Sequence, residues 1–479
     1  MAHIVGDNRM QYTLMPLCLD DYIEDCSVCR VIDVYIGSLD LIEFGFKYAE
    51  AGIIGRPSYD PADMLKLYIY GYLNRIRSSR RLEVEAKRNV EVMWLLNNLT
   101  PDDKTISNFR KDNSDSLKKA FREFSIWCAK QGLCDKENVA VDGTKIRANA
   151  NRHSIYTEKG TEKMLAEVQA KIDKYMKQLD ESDAEESDEN KLTPETIKSI
   201  LEHLADKKAK LLARKAAIEA NGGKEISTVD PDAHLMHTNG DGRNLDACYN
   251  VQTVAEGKSG LVLDFDVTTC PDDKSALPKM AESAKEVLDV QTLEVAADKG
   301  YYDGEDIAHC EQNEVITYIP KVALYAHAPE ESYNLSGFTY NAESDSYTCP
   351  EGEVLTLKRA RSNGRKEYTN RSACQGCNNR ERCTTANNRT ICRTENQEAL
   401  DRNNERMLTE EGREKYRQRS CTIEHIFGTI KAVWGYRQFL CRTRERTMAE
   451  MSLTYLAHNL RRVINIFKGN EEKLIGALV

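Results

Sequence analysis

From residue 246 onward short apolar runs alternate with helical segments, and this alternation constrains the fold more tightly than any other feature of the chain. ACYNVQTVAEGKSGLVLDFDVTT (247–269) reads as strand, turn and strand, with the turn over 256–260. KSALPKMAESAKEVL (274–288) has helical spacing. LEVAADKGYYD (293–303) is a strand and turn, GEDIAHCEQN (304–313) a short helix, and VITYIP (315–320) a strand stopped by Pro320. Upstream, NVAVDGTKIRANAN (138–151) alternates like a strand and ends at Asp142-Gly143. Downstream, 417–439 and 447–468 read as helices, the second amphipathic.

Two segments interrupt this order. Residues 159–220 are rich in Lys, Glu, Ala and Leu at helical spacing, broken by DESDAEESDEN (180–190) and Pro194, and predict a hairpin of two long helices joined by an acidic loop. Residues 321–409 are loop-rich, basic and contain Cys. Without these insertions the order is β, β, β, α, β, α, β, α. That order predicts an α/β core of the RNase H type, with a mixed five-stranded sheet whose second and third strands form a hairpin.

Residues 60–130 read as helices. Asp60 is placed to cap one of them with Pro61 at its first position, and Thr105 or Ser107 to cap another. Arg75, Arg77, Arg80 and Arg81 lie between apolar residues. Such a basic face suits helix-turn-helix DNA binding, which would make Arg75 and Arg80 DNA contacts, and it equally suits a solvated bundle surface. The expected organisation is an all-α DNA-binding or dimerisation domain (1–130), a catalytic core (131–158 and 226–320), the inserted hairpin (159–225), the Cys-rich insertion (321–409) and C-terminal core helices (410–479).

A chain of 479 residues exceeds one compact core, and 41% apolar residues argue against global disorder. No run approaches the roughly 18 apolar residues of a membrane span. MAHIVGDNRM lacks a basic stretch leading into an apolar one, so no secretory signal is expected. A cytoplasmic, nucleoid-associated protein with no membrane partner is the expectation, its fifteen Cys held as thiols or metal ligands. The net charge of −10 weighs against nucleic-acid binding, but it conceals an acidic 159–206 and basic 358–393 and 412–446.

Three acids fall at telling places. Asp142 is read at the end of the first strand, Asp298 at the end of the fourth, and Glu424 on the late helix. In an RNase H-like sheet the first and fourth strands are neighbours and the helix packs across their edge, so the three carboxylates converge. Hard oxygen ligands suit Mg²⁺ or Mn²⁺. Two such ions about 4 Å apart can activate a water or 3′-hydroxyl for in-line attack on a phosphodiester. A lone Asp at a strand end is usually a turn or cap residue, and only the joint placement favours a site.

VAVDGTKIRANA (139–150), LEVAADKGYYDGEDI (293–307) and YRQRSCTIEHIFGTIKAVWGYRQF (416–439) resemble the three acidic blocks of bacterial insertion-sequence DDE transposases. RPSYDPADMLKLYIYGYLNRIRSSRRLE (56–83), Trp94 and DDKTISNFR (102–110) resemble that family's N-terminal domain, and DPDAHL (230–235) and YNVQTV (249–254) also match. The family often carries a Tyr, Arg, Glu, Lys signature on its last catalytic helix, matched here by Tyr416, Arg419, Glu424 and Lys431. The Arg419–Glu424 spacing is one residue longer than the common form, and Arg417 is the alternative. The resemblance implies metal binding by Asp142, Asp298 and Glu424, and phosphate contacts from Lys431, Tyr416 and Arg419, with Lys145 as a further donor. It implies cutting at terminal inverted repeats in double-stranded DNA and joining of 3′-OH ends to target DNA, with a homodimer to synapse two ends. A catalytically silent DNA-binding regulator and a metal-dependent nuclease of the same fold are the alternatives.

In the Cys-rich segment, Cys349 and the trio Cys374, Cys377 and Cys383 have spacing that can make a tetrahedral Zn²⁺ site. A loop-rich stretch with few apolar residues needs such a staple. Four free thiols are the alternative.

Overall fold

The computed structural model describes residues 18–50, 57–136, 138–182, 193–238, 244–321, 329–361 and 364–478. The N-terminal MAHIVGDNRM and most of the acidic loop lie outside them.

The N-terminal region is helical: α1 (Val28–Gly37), α2 (Pro61–Leu73), α3 (Ser79–Arg88), α4 (Val90–Leu95), α5 (Asp103–Asp112) and α6 (Ser114–Lys130). Asp60 caps α2 by accepting from the Ala62 amide at 2.8 Å, with Pro61 in the first turn where its missing N–H costs nothing. The cap of α5 is Asp102, which accepts from Thr105 N–H at 2.6 Å; Thr105 and Ser107, expected as caps, lie within the helix. Arg77 is not part of a free basic face. It pairs with Glu450 at 3.3 Å and covers the Tyr436 ring at 4.1 Å.

The central sheet is built from β1 (Asn138–Arg147), β4 (His234–His237), β5 (Leu245–Glu256), β6 (Val262–Thr268), β7 (Leu293–Ala297) and β8 (Val315–Tyr318). Five strands run in the order β6-β5-β1-β7-β8: β6, β5 and β1 pair antiparallel, while β1, β7 and β8 pair parallel. This mixed sheet is RNase H-like. A sixth strand was not foreseen: β4 pairs with the start of β5, with Leu235 opposite Ala247. β1 also runs past Asp142 to Arg147, because β5 continues to pair with it through Arg147↔Cys248 after the β1–β7 ladder stops at Val141↔Ala297. Two-residue alternation therefore gives β1 and β7 unlike faces. Val139, Val141, Val295 and Ala297 join the main apolar core, and Ala140, Asp142, Ala296 and Asp298 fall on the opposite face.

Between β1 and β5 the expected hairpin forms from α7 (Glu158–Ser182) and α8 (Pro194–Ala220), joined along Val168, Leu204 and Leu211. Its base is closed by β2 (Ile155–Tyr156) and β3 (Ile226–Ser227). Helices α9 (Leu277–Leu288) and α10 (Gly304–Gln312) follow β6 and β7 in sequence.

The segment expected to be loop-rich instead holds an antiparallel sheet of β9 (Thr339–Asn341), β10 (Ser346–Thr348), β11 (Val354–Ala360), β12 (Lys366–Thr369) and β13 (Thr390–Arg393), with α11 (Arg371–Gly376) and α12 (Arg380–Cys383). Strands this short and polar leave little two-residue periodicity to read.

After α13 (Gln397–Leu408), α14 (Glu410–Arg419) runs into a π turn (Ser420–Glu424), α15 (His425–Gly428) and a second π turn (Thr429–Val433). This helix stops at Val433 rather than 439: Gly435 turns the chain at φ +69, and Arg147 bridges Gln438 in parallel. Helix α16 (Arg444–Ile466) is buried around most of its circumference, more than an amphipathic surface helix would be, because α2, α5, α6 and β6 all pack on it. Helix α17 (Glu471–Leu478) closes the described chain. Among the described residues no helix is long and apolar enough to cross a membrane.

Candidate active site

The register of β1 and β7 places the first two acids. Their last parallel pair is Val141↔Ala297, so the next residue on each strand is Asp142 or Asp298, side by side where the ladder ends. Asp142 accepts from the Gly143 amide at 2.8 Å, and Asp298 from the Lys299 amide at 2.6 Å, which makes Asp298 the cap of a short 3₁₀ turn (Lys299–Tyr301). A cap residue and a site residue are thus the same residue here.

The helix above supplies the rest. Small side chains at Ala140 and Ala296 line the cleft under α14 together with Gln418, Arg419 and Thr422. In an α-helix, residues five apart diverge around the axis. A π turn bonds i to i+5 and brings them back into line. The turn Ser420–Glu424 therefore absorbs the extra residue between Arg419 and Glu424. Arg419 Nη1 donates to Asp142 Oδ2 at 2.9 Å, and its Nη2 lies 3.6 Å from Glu424 Oε1. Arg417 pairs instead with Glu414 at 2.6 Å, so of the two arginines it is Arg419 that contacts Asp142 and Glu424. Tyr416 stacks by Arg419, 5.4 Å from ring centre to guanidinium carbon.

Burial raises the Asp142 pKa to about 6; Arg419 and the Gly143 amide oppose the shift, and Asp298 adds to it. Burial also disfavours the charge on Arg419, but Asp142, Tyr416 and Asp298 outweigh it and hold its pKa above the ordinary value. Arg419 is buried with its Nε unpaired, while the Glu424 side chain is 58% exposed. One guanidinium thus stands among three carboxylates.

Lys431, in the second π turn, donates to the Lys145 carbonyl at 2.8 Å, and burial lowers its pKa. Lys145 itself pairs with Asp273 at 3.2 Å. Asp273 was missed in the sequence. It accepts from Asn250 at 2.8 Å and from Gln252 at 2.7 Å, and Gln252 in turn accepts from the buried Tyr301 hydroxyl. A Cβ at Gly143 would overlap Asp273 Oδ1 and Gln252 Nε2, and one at Gly300 would sit 3.4 Å from Asp273 Oδ2. A glycine one or two residues after each strand acid was the available signal: both leave room for the same side chain. Asn250 Oδ1 is buried without a partner beside this network.

Arg75 and Arg80 are exposed and make no hydrogen bond or ion pair with the three acids; Arg80 pairs with Asp103 at 3.4 Å. Past the site β1 leads into an open groove lined by Arg147, Arg152, His153 and Arg442, with Asn149 and Asp246. Cys349, Cys374, Cys377 and Cys383 line one cavity of the smaller sheet's lobe.

Asp142, Asp298 and Glu424 offer the hard oxygens that suit a divalent ion, and the only cation hydrogen-bonded to Asp142 among the described residues is Arg419. The donor types therefore fit. Among the described residues, however, no three His, Cys, Asp or Glu side chains are already arranged as a ligand cage.

An RNase H-like core with two acids adjacent where the β1–β7 ladder ends, and a helical N-terminal region, is the class this architecture defines. A family described as "Transposase DDE domain" matches residues 348–464, and one described as "Transposase domain (DUF772)" matches 17–112. Together these matches indicate an insertion-sequence DDE transposase. The first covers Glu424 but neither Asp142 nor Asp298. No curated protein and no solved structure matches the chain.

Proposed function

We propose that the chain cleaves DNA at the ends of its insertion sequence and joins the freed 3′-OH ends to target DNA, using Asp142, Asp298 and Glu424. The observation that carries this reading is the β1–β7 register, which sets Asp142 beside Asp298 under the helix bearing Arg419 and Glu424. Unmetalled, such acids repel one another, and here one arginine offsets part of that repulsion.

Asp142, Asp298 and Glu424 would hold Mg²⁺ or Mn²⁺. When bound, the ions would lower the pKa of an attacking water or 3′-hydroxyl and stabilise the leaving oxygen. The protein's own part is positioning and charge. Asp273, held by Lys145, Asn250 and Gln252, fixes the floor beneath Gly143 and Gly300. Lys431 braces β1 through the Lys145 carbonyl and, with Tyr416 and Arg419, supplies positive or hydrogen-bonding groups beside the DNA phosphate. Arg147, Arg152 and Arg442 make no ion pair with a carboxylate among the described residues, and so remain available to the backbone of flanking duplex. Arg75 and Arg80 would extend this contact on the N-terminal helices, and joining two ends calls for at least a homodimer.

Purified protein incubated with Mg²⁺ and labelled DNA ends tests the proposal. Joined products support it. Cut products alone indicate a nuclease of the same fold, and shifted but uncut DNA a silent regulator; either outcome rejects strand transfer.

A further inference from the structure

The lobe formed by the smaller sheet has little to hold it together. Its buried apolar cluster, among the described residues, is Phe338, Tyr347, Leu355, Tyr368 and Ile391, with Tyr333 also buried at the cavity. A core this small does not normally sustain a separate lobe without a crosslink or a metal. Cys349 and Cys383 pack directly against it.

Three chain segments bring four thiols to one cavity. Cys349 opens the turn between β10 and β11, Cys374 lies on α11, Cys377 is the C-cap of that helix, and Cys383 ends α12. The turn at Cys349 is shaped toward its sulfur. Gly352, at φ +84, donates to the Cys349 carbonyl at 2.8 Å, and the Glu353 amide donates to Cys349 Sγ at 3.4 Å. An amide aimed at sulfur favours the thiolate over the thiol. All four cysteines are free, and each is neither fully buried nor fully exposed.

A second, independent observation is Arg389. It lines the same cavity, is 9% exposed, and its Nε is buried without a hydrogen-bond partner, while its Nη1 donates to the Cys383 carbonyl at 3.4 Å. A buried guanidinium facing an apolar cavity with an unused donor is costly unless negative charge stands nearby. Four thiolates on one divalent ion carry a net charge of −2 and meet that need.

We propose that Cys349, Cys374, Cys377 and Cys383 bind one structural Zn²⁺ that pins the turn after β10 to α11 and α12, with Arg389 offsetting the charge of the thiolate set. Among the described residues the four sulfurs line one cavity but are not drawn into a ligand cage. Bound zinc would draw them to Zn–S distances of about 2.3 Å. Each thiol loses its proton on binding and no electron moves, so affinity falls with acidity. Zinc is favoured over the hard cations of the catalytic site because all four donors are soft sulfur.

The test is metal analysis of the full-length chain, purified under reducing conditions without added chelator. The expected result is one zinc per chain, released by a mercurial thiol reagent. Cys377→Ser should lose the zinc, whereas Cys392→Ser, on β13 outside the cavity, should keep it. If Cys377→Ser fails to fold, the wild-type protein still decides the matter: ¹¹³Cd exchanged into the site should give one resonance in the tetrathiolate range. Wild-type protein that purifies without zinc and takes up no ¹¹³Cd, or in which any two of these four cysteines form a disulfide, overturns the proposal. So does zinc that survives in Cys377→Ser. None of these outcomes depends on DNA cleavage, so this inference stands or falls apart from the proposed transposase activity.

Discussion

Arg419 and Asp142 are 277 positions apart in sequence and share a hydrogen bond of 2.9 Å. The same guanidinium lies 3.6 Å from Glu424, so one cation holds the strand acid and the helix acid to one side of the sheet. Removing it should be felt in stability as well as activity. Arg419→Ala leaves a mostly buried carboxylate without its partner, at a cost of roughly 3 kcal/mol. Urea denaturation with and without Mg²⁺ checks this: the loss should shrink when the ion is present. Arg417→Ala removes only an exposed pair with Glu414 and should change stability by less than about 0.5 kcal/mol.

The raised pKa of Asp142 gives a pH dependence with a definite sign. Its folded value of about 6 exceeds the ordinary 3.8, so between those values the native state binds the proton more tightly than the unfolded chain does. This group's contribution to stability therefore falls as pH rises from about 4 to about 6, and is level above. A divalent ion competes with that proton. The gain in melting temperature on adding Mg²⁺ should be full above about pH 6 and should fade as pH drops below it. Thermal melts across this range with saturating Mg²⁺ provide the measurement, and a gain unchanged at pH 5 would contradict the assignment of Asp142.

Asp273 acts through its neighbours. Asp273→Asn keeps the shape of the floor but weakens its hold on Lys145. Loss of such a supporting contact typically costs roughly 10- to 100-fold in activity or metal affinity. The expected signature is a higher Mg²⁺ requirement for cleavage with DNA-end affinity unchanged. Gly143→Ala, whose added methyl overlaps Asp273 and Gln252, should impair cleavage and destabilise the protein by about 1–3 kcal/mol.

The arginine groove predicts a different phenotype. Arg152→Ala and Arg442→Ala should weaken binding to all DNA sequences alike and each lower the salt dependence of binding by about one unit of slope. Filter binding across a salt series reads this directly.

Much of the sheet was legible because its strands obey simple patterns. The 247–269 hairpin and the apolar runs before Asp298 and Pro320 appear where residue spacing put them, and the helix carrying Glu424 forms but runs from Glu410 to Val433 rather than over 417–439. The misses have physical causes. β1 continues past Asp142 because it trades one neighbour for another, and two-residue alternation does not say which strand lies alongside. The Arg419–Glu424 spacing is one residue longer than the common form of the resembled signature, which left Arg417 as the alternative; a π turn takes up that extra residue, and sequence spacing alone does not reveal it. Asp273 stayed hidden because its role depends on space left by Gly143 and Gly300, which are distant in the chain. Residue spacing gives Tyr301 no role, and the structure buries it with its hydroxyl donating to Gln252.

The central claim is that Asp298 completes a metal-binding pair with Asp142. Its most direct test is cleavage of labelled insertion-sequence ends by Asp298→Ala, with end binding measured on the same preparation. The account predicts that cleavage and joining are abolished while binding to the ends is retained. Cleavage that persists in this variant at a rate near wild type would contradict it.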